Sequence, residues 1–89
     1  MEIKYTKRFR DQYRKADKQI KSAFAQTLDL FQADPQNPFL RNHVLRGTLA
    51  GFRSINVNED WRAVFKEAKS DARTVGTFHL LGTHEELYG

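Results

Sequence analysis

The sequence predicts an α+β fold in the order β-α-α-β-β-β, with an N-terminal helical hairpin packed on one face of a small, curved, mainly antiparallel sheet. Three observations lead there. Apolar residues recur at helical spacing from Phe9 to Phe31, and the period turns strand-like after Gly51. The stretch Asp34-Pro35-Gln36-Asn37-Pro38 separates these halves, since neither proline fits a helix interior. At 89 residues the chain is expected to form a single domain over 1–89, with one core.

Residues 3–5 read as a short first strand. Thr6 is placed to cap a helix over 7–15, because its hydroxyl can accept an orphan backbone N–H, and Phe9, Tyr13 and Ala16 follow at helical spacing. Asp17 caps a second helix over 17–33, whose apolar series runs through Ile20, Ala23, Phe24, Thr27, Leu28 and Phe31. A loop continues to about Gly51. Strands then follow over 52–57, 61–67 and 73–81, with turns at Asn58-Glu59 and Lys69-Ser70-Asp71. The helices are expected to bury Phe24, Leu28, Phe31, Ile55, Val57, Phe65 and Val75, leaving the opposite sheet face open. Strand alternation puts Asn56 on that open face, away from Ile55 and Val57, and a short turn brings Arg62 to the same side unless a bulge intervenes.

Composition narrows the chemistry. The chain has no cysteine, which excludes disulfides, thiolate zinc sites and a cysteine nucleophile. Its start, Met1-Glu2-Ile3-Lys4-Tyr5, has no apolar signal-like region and no stretch approaches membrane-spanning length, so a cytoplasmic protein without membrane contact is expected. Fifteen Lys and Arg against eleven Asp and Glu give a net charge of +4, and eight of those cations lie between Lys4 and Lys21. That balance favours a nucleic acid or an acidic protein as partner. Histidines at 43, 79 and 84 without tight carboxylate pairing form no recognisable metal-ligand set, so neither metal nor cofactor is expected.

Cleaving RNA without a metal requires a base for the 2′-hydroxyl, a cation for the phosphorane and an acid for the leaving 5′-oxygen. Histidine suits proton transfer near neutral pH, and the planar fork of arginine matches two phosphate oxygens. His84, His43, Asp60, Arg53, Arg62 and Tyr88 are all expected near one edge of the sheet. Each also has a plainer reading. His84 could end a frayed terminus, His43 could brace a loop, and Asp60 could serve the turn through its backbone. His79, inside the last strand, fits a structural role better than catalysis.

Leu45-Arg46-Gly47, Gly51-Phe52-Arg53-Ser54, Asp60-Trp61-Arg62-Ala63-Val64-Phe65 and the ending Gly82-Thr83-His84-Glu85-Glu86-Leu87-Tyr88 together resemble the RelE/ParE toxin superfamily, closest to its YafQ-like branch. The resemblance spans nearly the whole chain, and the G-T-H-x-x-L-aromatic ending is its most specific part. It implies a RelE-like microbial ribonuclease fold and an mRNA interferase of a type II toxin–antitoxin pair. Such toxins cut mRNA in the ribosomal A site with the 2′-hydroxyl as nucleophile. They are neutralised by a cognate antitoxin, and operator DNA is met only through the toxin–antitoxin complex. By position, His84 matches the C-terminal catalytic residue and Arg62 a phosphate-contacting arginine. Asp60 and His43 match polar residues of the YafQ-like site. Tyr88 matches the terminal aromatic, and Arg46, Arg53 and Asn56 fall among the expected RNA contacts. Asn56 departs from the pattern, because it stands where the branch has a second histidine, and an amide cannot act as a base at neutral pH. Two other readings stay open: a ParE-like toxin that poisons DNA gyrase, and a non-catalytic module of a repressor complex.

Overall fold

The computed structural model describes residues 1–88; Gly89 lies outside the described residues. The elements are β1 (Glu2–Tyr5), α1 (Lys7–Lys15), α2 (Lys18–Ala33), β2 (His43–Val44), β3 (Arg53–Asn56), β4 (Trp61–Ser70), β5 (Arg73–Thr83) and α3 (His84–Tyr88). The sheet order is β1-β5-β4-β3-β2. Only β1 runs parallel to its neighbour, β5; the other pairings are antiparallel. This is the α+β architecture the sequence predicts, with two additions: a two-residue edge strand in the predicted loop and a short C-terminal helix. Among the described residues no helix is long and apolar enough to cross a membrane.

Local side-chain chemistry sets the helical hairpin. The Thr6 hydroxyl accepts the Phe9 N–H at 3.1 Å, and the Asp17 carboxylate accepts that of Ile20 at 2.9 Å. Each satisfies one of the donors a helix start leaves orphaned. Ala16 and Asp17 are both extended, so the chain reverses within two residues. α2 ends at Asp34, ahead of Pro35, and the Asn37 side chain caps a 3-10 turn at Pro38–Leu40. Leu40, buried, anchors that turn to the core.

The helices cover one sheet face with an aromatic core. Phe9, Phe24, Phe31, Phe65 and Phe78 are buried, and neighbouring rings lie 4.9–5.8 Å apart. Such pairs contribute about 0.5–1.5 kcal/mol each beyond area burial. Of the seven expected core residues, Phe24, Phe31, Ile55, Val57 and Phe65 are buried and Leu28 is half-buried against them, but Val75, paired with Ala68, falls on the opposite sheet face, because an extra residue at His79 reverses the alternation of the last strand. β1 reaches only as far as Phe78 on β5, so α1 seals the rest of that edge: Gln12 Oε1 accepts the Leu81 N–H at 2.8 Å.

The opposite face is only partly open, where the sequence predicts it wholly so. α3 folds over it, and there Ser54 and its cross-strand partner Val64 are fully buried. A bulge lies between β4 and β5: Val64 pairs Leu80 and Phe65 pairs Phe78, leaving His79 as the extra residue. It shifts the alternation of β5, so that Phe78 and Leu81 both reach the core. It does not touch the β3–β4 register, where Asn56 pairs Arg62 directly and shares its face.

Candidate active site

The β3–β4 turn and the start of α3 fix one wall of a cleft. Asn58 Oδ1 accepts the N–H groups of Asp60 and Trp61 at 2.9 and 2.7 Å, which closes the turn. The Asp60 carbonyl then accepts the His84 N–H at 2.8 Å, so the turn holds the first residue of α3. A reciprocal capping pair reinforces that start: the Thr83 hydroxyl accepts the Glu86 N–H at 3.1 Å, and the Glu86 carboxylate accepts the Thr83 N–H at 2.8 Å. Gly82 lets the helix lie close, because a Cβ there would stand 3.2 Å from both Glu86 Oε1 and Leu87 Cδ2. The Tyr88 phenol donates to the Ser54 hydroxyl at 2.7 Å and pins the far end of α3 to β3. The His84 and Tyr88 rings meet edge-to-face, 4.8 Å apart.

The other wall is the β2 segment. Asn42 joins it to two places, donating to the Pro35 carbonyl at 3.0 Å and accepting from Arg53 Nε at 2.8 Å. Arg41 adopts a left-handed conformation, φ 49°, which turns the chain into β2. His43 Nδ1 lies 2.7 Å from the Arg41 carbonyl. A carbonyl oxygen only accepts, so Nδ1 carries the proton and a neutral ring presents the Nε2 lone pair elsewhere.

Between these walls is a cleft of about 680 Å³, lined by Arg41, Asn42, His43, Leu45, Asn56, Arg62, His84 and Tyr88. Arg62 Nη1 donates to the carbonyls of Asn58 (2.9 Å) and Trp61 (3.0 Å). Those two acceptors orient the guanidinium and leave Nε and Nη2 available for an anion. Over residues 1–89 the chain matches the family model described as the bacterial toxin of type II toxin–antitoxin system, YafQ. It belongs to this family.

Solved structures agree. The fold is similar to that of the YoeB/ParE toxin from Agrobacterium tumefaciens, with a TM-score of 0.75 and 17% identity over 94% of this chain and 99% of that one. It is also similar to YafQ from E. coli, with a TM-score of 0.70 and 24% identity over 99% and 98% of the two chains. A chain of the E. coli DinJ–YafQ complex matches with a TM-score of 0.67 and 25% identity over 99% and 98%. No curated protein matches the sequence.

Of the residues singled out from the sequence of this YafQ-family toxin, His43, Asn56, Arg62, His84 and Tyr88 come together in the cleft. Asp60, Arg53 and Arg46 do not line it. Asp60 is exposed and meets the site through its backbone carbonyl. Arg53 is half-buried and holds Asn42; Arg46 is exposed just before the 3-10 turn at Gly47–Leu49. Arg41 and Asn42 were not singled out from the sequence, and Leu45, which lines the cleft, and Ser54, which holds Tyr88, stood in its motifs without a role in the site. The same alternation that assigned Asn56 to this face also assigns Ser54 to it, two residues earlier, but Arg41 and Asn42 carry no periodic signal. Among the described residues no three His, Asp or Glu side chains are grouped to hold a metal ion.

Proposed function

We propose that this toxin is an endoribonuclease that cuts mRNA on the ribosome in the cytoplasm, needs no metal or cofactor, and is held inactive by a cognate antitoxin. The observation that carries this reading is the convergence of His43, Arg62 and His84 on one cleft. Two proton-transfer groups and one fixed cation are what 2′-hydroxyl attack requires. Membership of the YafQ family supports the antitoxin, as does the likeness to the DinJ–YafQ complex.

In this mechanism His43 Nε2 takes the proton of the 2′-hydroxyl. The 2′-oxygen attacks the adjacent phosphorus, and Arg62 offers Nε and Nη2 to the charge that grows on the non-bridging oxygens. The bond from phosphorus to the 5′-oxygen breaks as His84 gives that oxygen a proton. The products are a 2′,3′-cyclic phosphate and a 5′-hydroxyl, and His43 leaves protonated where His84 leaves deprotonated. Asn56 cannot transfer a proton at neutral pH, so it orients the substrate beside Arg62. Tyr88, next to the His84 ring, offers a face for a base. The cations of α1 and α2 add a salt-sensitive grip on ribosomal RNA.

Expression without the antitoxin tests the reading. Mapped mRNA ends carrying cyclic phosphates, with growth arrest, are expected. Induction of DNA damage with intact mRNA marks a gyrase poison instead, and neither effect marks a non-catalytic module. The acid–base assignment has its own test. A substrate with sulfur in place of the bridging 5′-oxygen needs no acid, so it rescues His84→Ala and leaves His43→Ala inactive. The reverse pattern exchanges the two roles.

A further inference from the structure

The outer face of the sheet does not stop at the cleft. Phe52 lies one residue before Arg53 and by alternation shares the side of Ser54 and Asn56. Lys66 shares the side of Val64 and Arg62, and its Nζ stands 5.3 Å from the centroid of the Phe52 ring. His79, the residue inserted by the bulge, meets Phe52 edge-to-face at 5.0 Å and 83°. A row therefore runs along this face from Asn56 and Arg62, past Ser54 under Tyr88, to Phe52, Lys66 and His79. Four residues of strand separate Phe52 from Asn56, about 13 Å.

This group has the makings of a ligand site and little structural role. Phe52 is half-buried and is not one of the rings of the aromatic core. Lys66 is exposed, and the ion pairs among the described residues join Glu2 and Asp11 to other cations, leaving its charge unneutralised. An exposed ammonium over an aromatic face marks a face that solvent reaches. A stacking base can take its place while the ammonium moves to the adjoining phosphate. The His79 ring beside it is held toward its uncharged form, first by partial burial and then by Lys66. An uncharged ring packs against a base without bringing its own counterion.

We propose that Phe52, Lys66 and His79 form a second subsite for single-stranded RNA, which stacks a base at Phe52 and holds its phosphate at Lys66, a short distance along the strand from the scissile bond. The inference rests on the ribonuclease reading, because it extends the path of the same substrate.

Fluorescence anisotropy with 2′-O-methyl RNA, which the proposed reaction cannot cleave, tests it on the full chain with a dinucleotide and an octanucleotide. Phe52→Leu keeps an apolar side chain and removes the ring; its thermal midpoint verifies the fold. We expect Phe52→Leu to weaken octanucleotide binding about tenfold, to leave the dinucleotide unchanged, and Phe52→Trp to restore the octanucleotide. Lys66→Ala should lower the slope of log affinity against log salt by about 0.7 for the octanucleotide alone. Unchanged octanucleotide binding by both Phe52→Leu and Lys66→Ala overturns the subsite while leaving the ribonuclease reading intact. If the unaltered protein binds neither RNA, the subsite is overturned, while the ribonuclease reading stands or falls on cleavage of ribosome-bound mRNA. If Phe52→Leu and Lys66→Ala lose affinity for the antitoxin and not for RNA, the surface belongs to that protein and the subsite is again overturned.

Discussion

The two faces of the sheet are held by different kinds of contact. The inner face is a continuous aromatic core in which each ring touches several others, so no single contact decides the packing. The outer face carries the cleft, and its geometry hangs on single hydrogen bonds: Tyr88 to Ser54 and His84 to Asp60 across the face, with Asn42, held by Arg53 and Pro35, fixing the β2 edge. Fold stability and site geometry are thus separable. Loss of a ring on the inner face should cost the most stability, and loss of a contact on the outer face should cost function and a smaller share of stability.

The largest effect is expected at Phe31, which is fully buried with its ring 4.9 Å from that of Phe65. Phe31→Ala should destabilise the protein by about 3–5 kcal/mol in urea unfolding. An unchanged midpoint would break the comparison at its inner side. On the outer side, Arg62→Ala should cut the rate of RNA cleavage by about 10²–10³-fold while the unfolding midpoint stays near that of the wild type. A collapse of stability in that variant would mean that Arg62 holds the fold.

Tyr88→Phe sharpens the comparison at smaller scale. It leaves the buried Ser54 hydroxyl without its partner, at a cost of about 1–3 kcal/mol. Ser54→Ala should cost less, because the half-buried Tyr88 phenol can still reach water. Equal costs for the two variants would place the strain elsewhere.

How far the sequence carried depended on the range of each signal. Both helices and their caps were legible because Thr6 and Asp17 act on residues three positions away. The pairing of Asn56 with Arg62 was legible because a short turn ties them together. β2 was not, since two residues have no period, and neither was α3, because five residues show little more. The bulge at His79 follows from the match of Phe65 to Phe78 across β4 and β5, which nothing local announces. Asp60 stood out for its carboxylate, whereas the structure uses its carbonyl; backbone roles leave no trace in residue type. Both long strands run further than expected: β4 reaches Ser70 through exposed residues with no apolar alternation, and β5 reaches Thr83 because Gly82 and Thr83 continue the pairing opposite Arg62 and Trp61.

The smallest predicted effect concerns pH. Partial burial, followed by the charge of Lys66, lowers the pKa of His79 from 6.5. Below its unfolded value the unfolded chain binds the proton more readily, so this contribution to stability is complete above pH 6.5 and is lost as pH falls through the lowered folded value. His79→Gln should flatten that part of the profile of thermal midpoint between pH 7.5 and 5. An unaltered slope would show that His79 titrates alike in both states.

The most direct test of the central claim is cleavage of a ribosome-bound mRNA by purified wild-type and His84→Ala protein, with the unfolding midpoint of each measured alongside. The account predicts fragments ending in 2′,3′-cyclic phosphate from the wild type, a loss of at least about 10²-fold for His84→Ala, and closely similar midpoints. Equal cleavage by the two proteins, or none by the wild type, would contradict it.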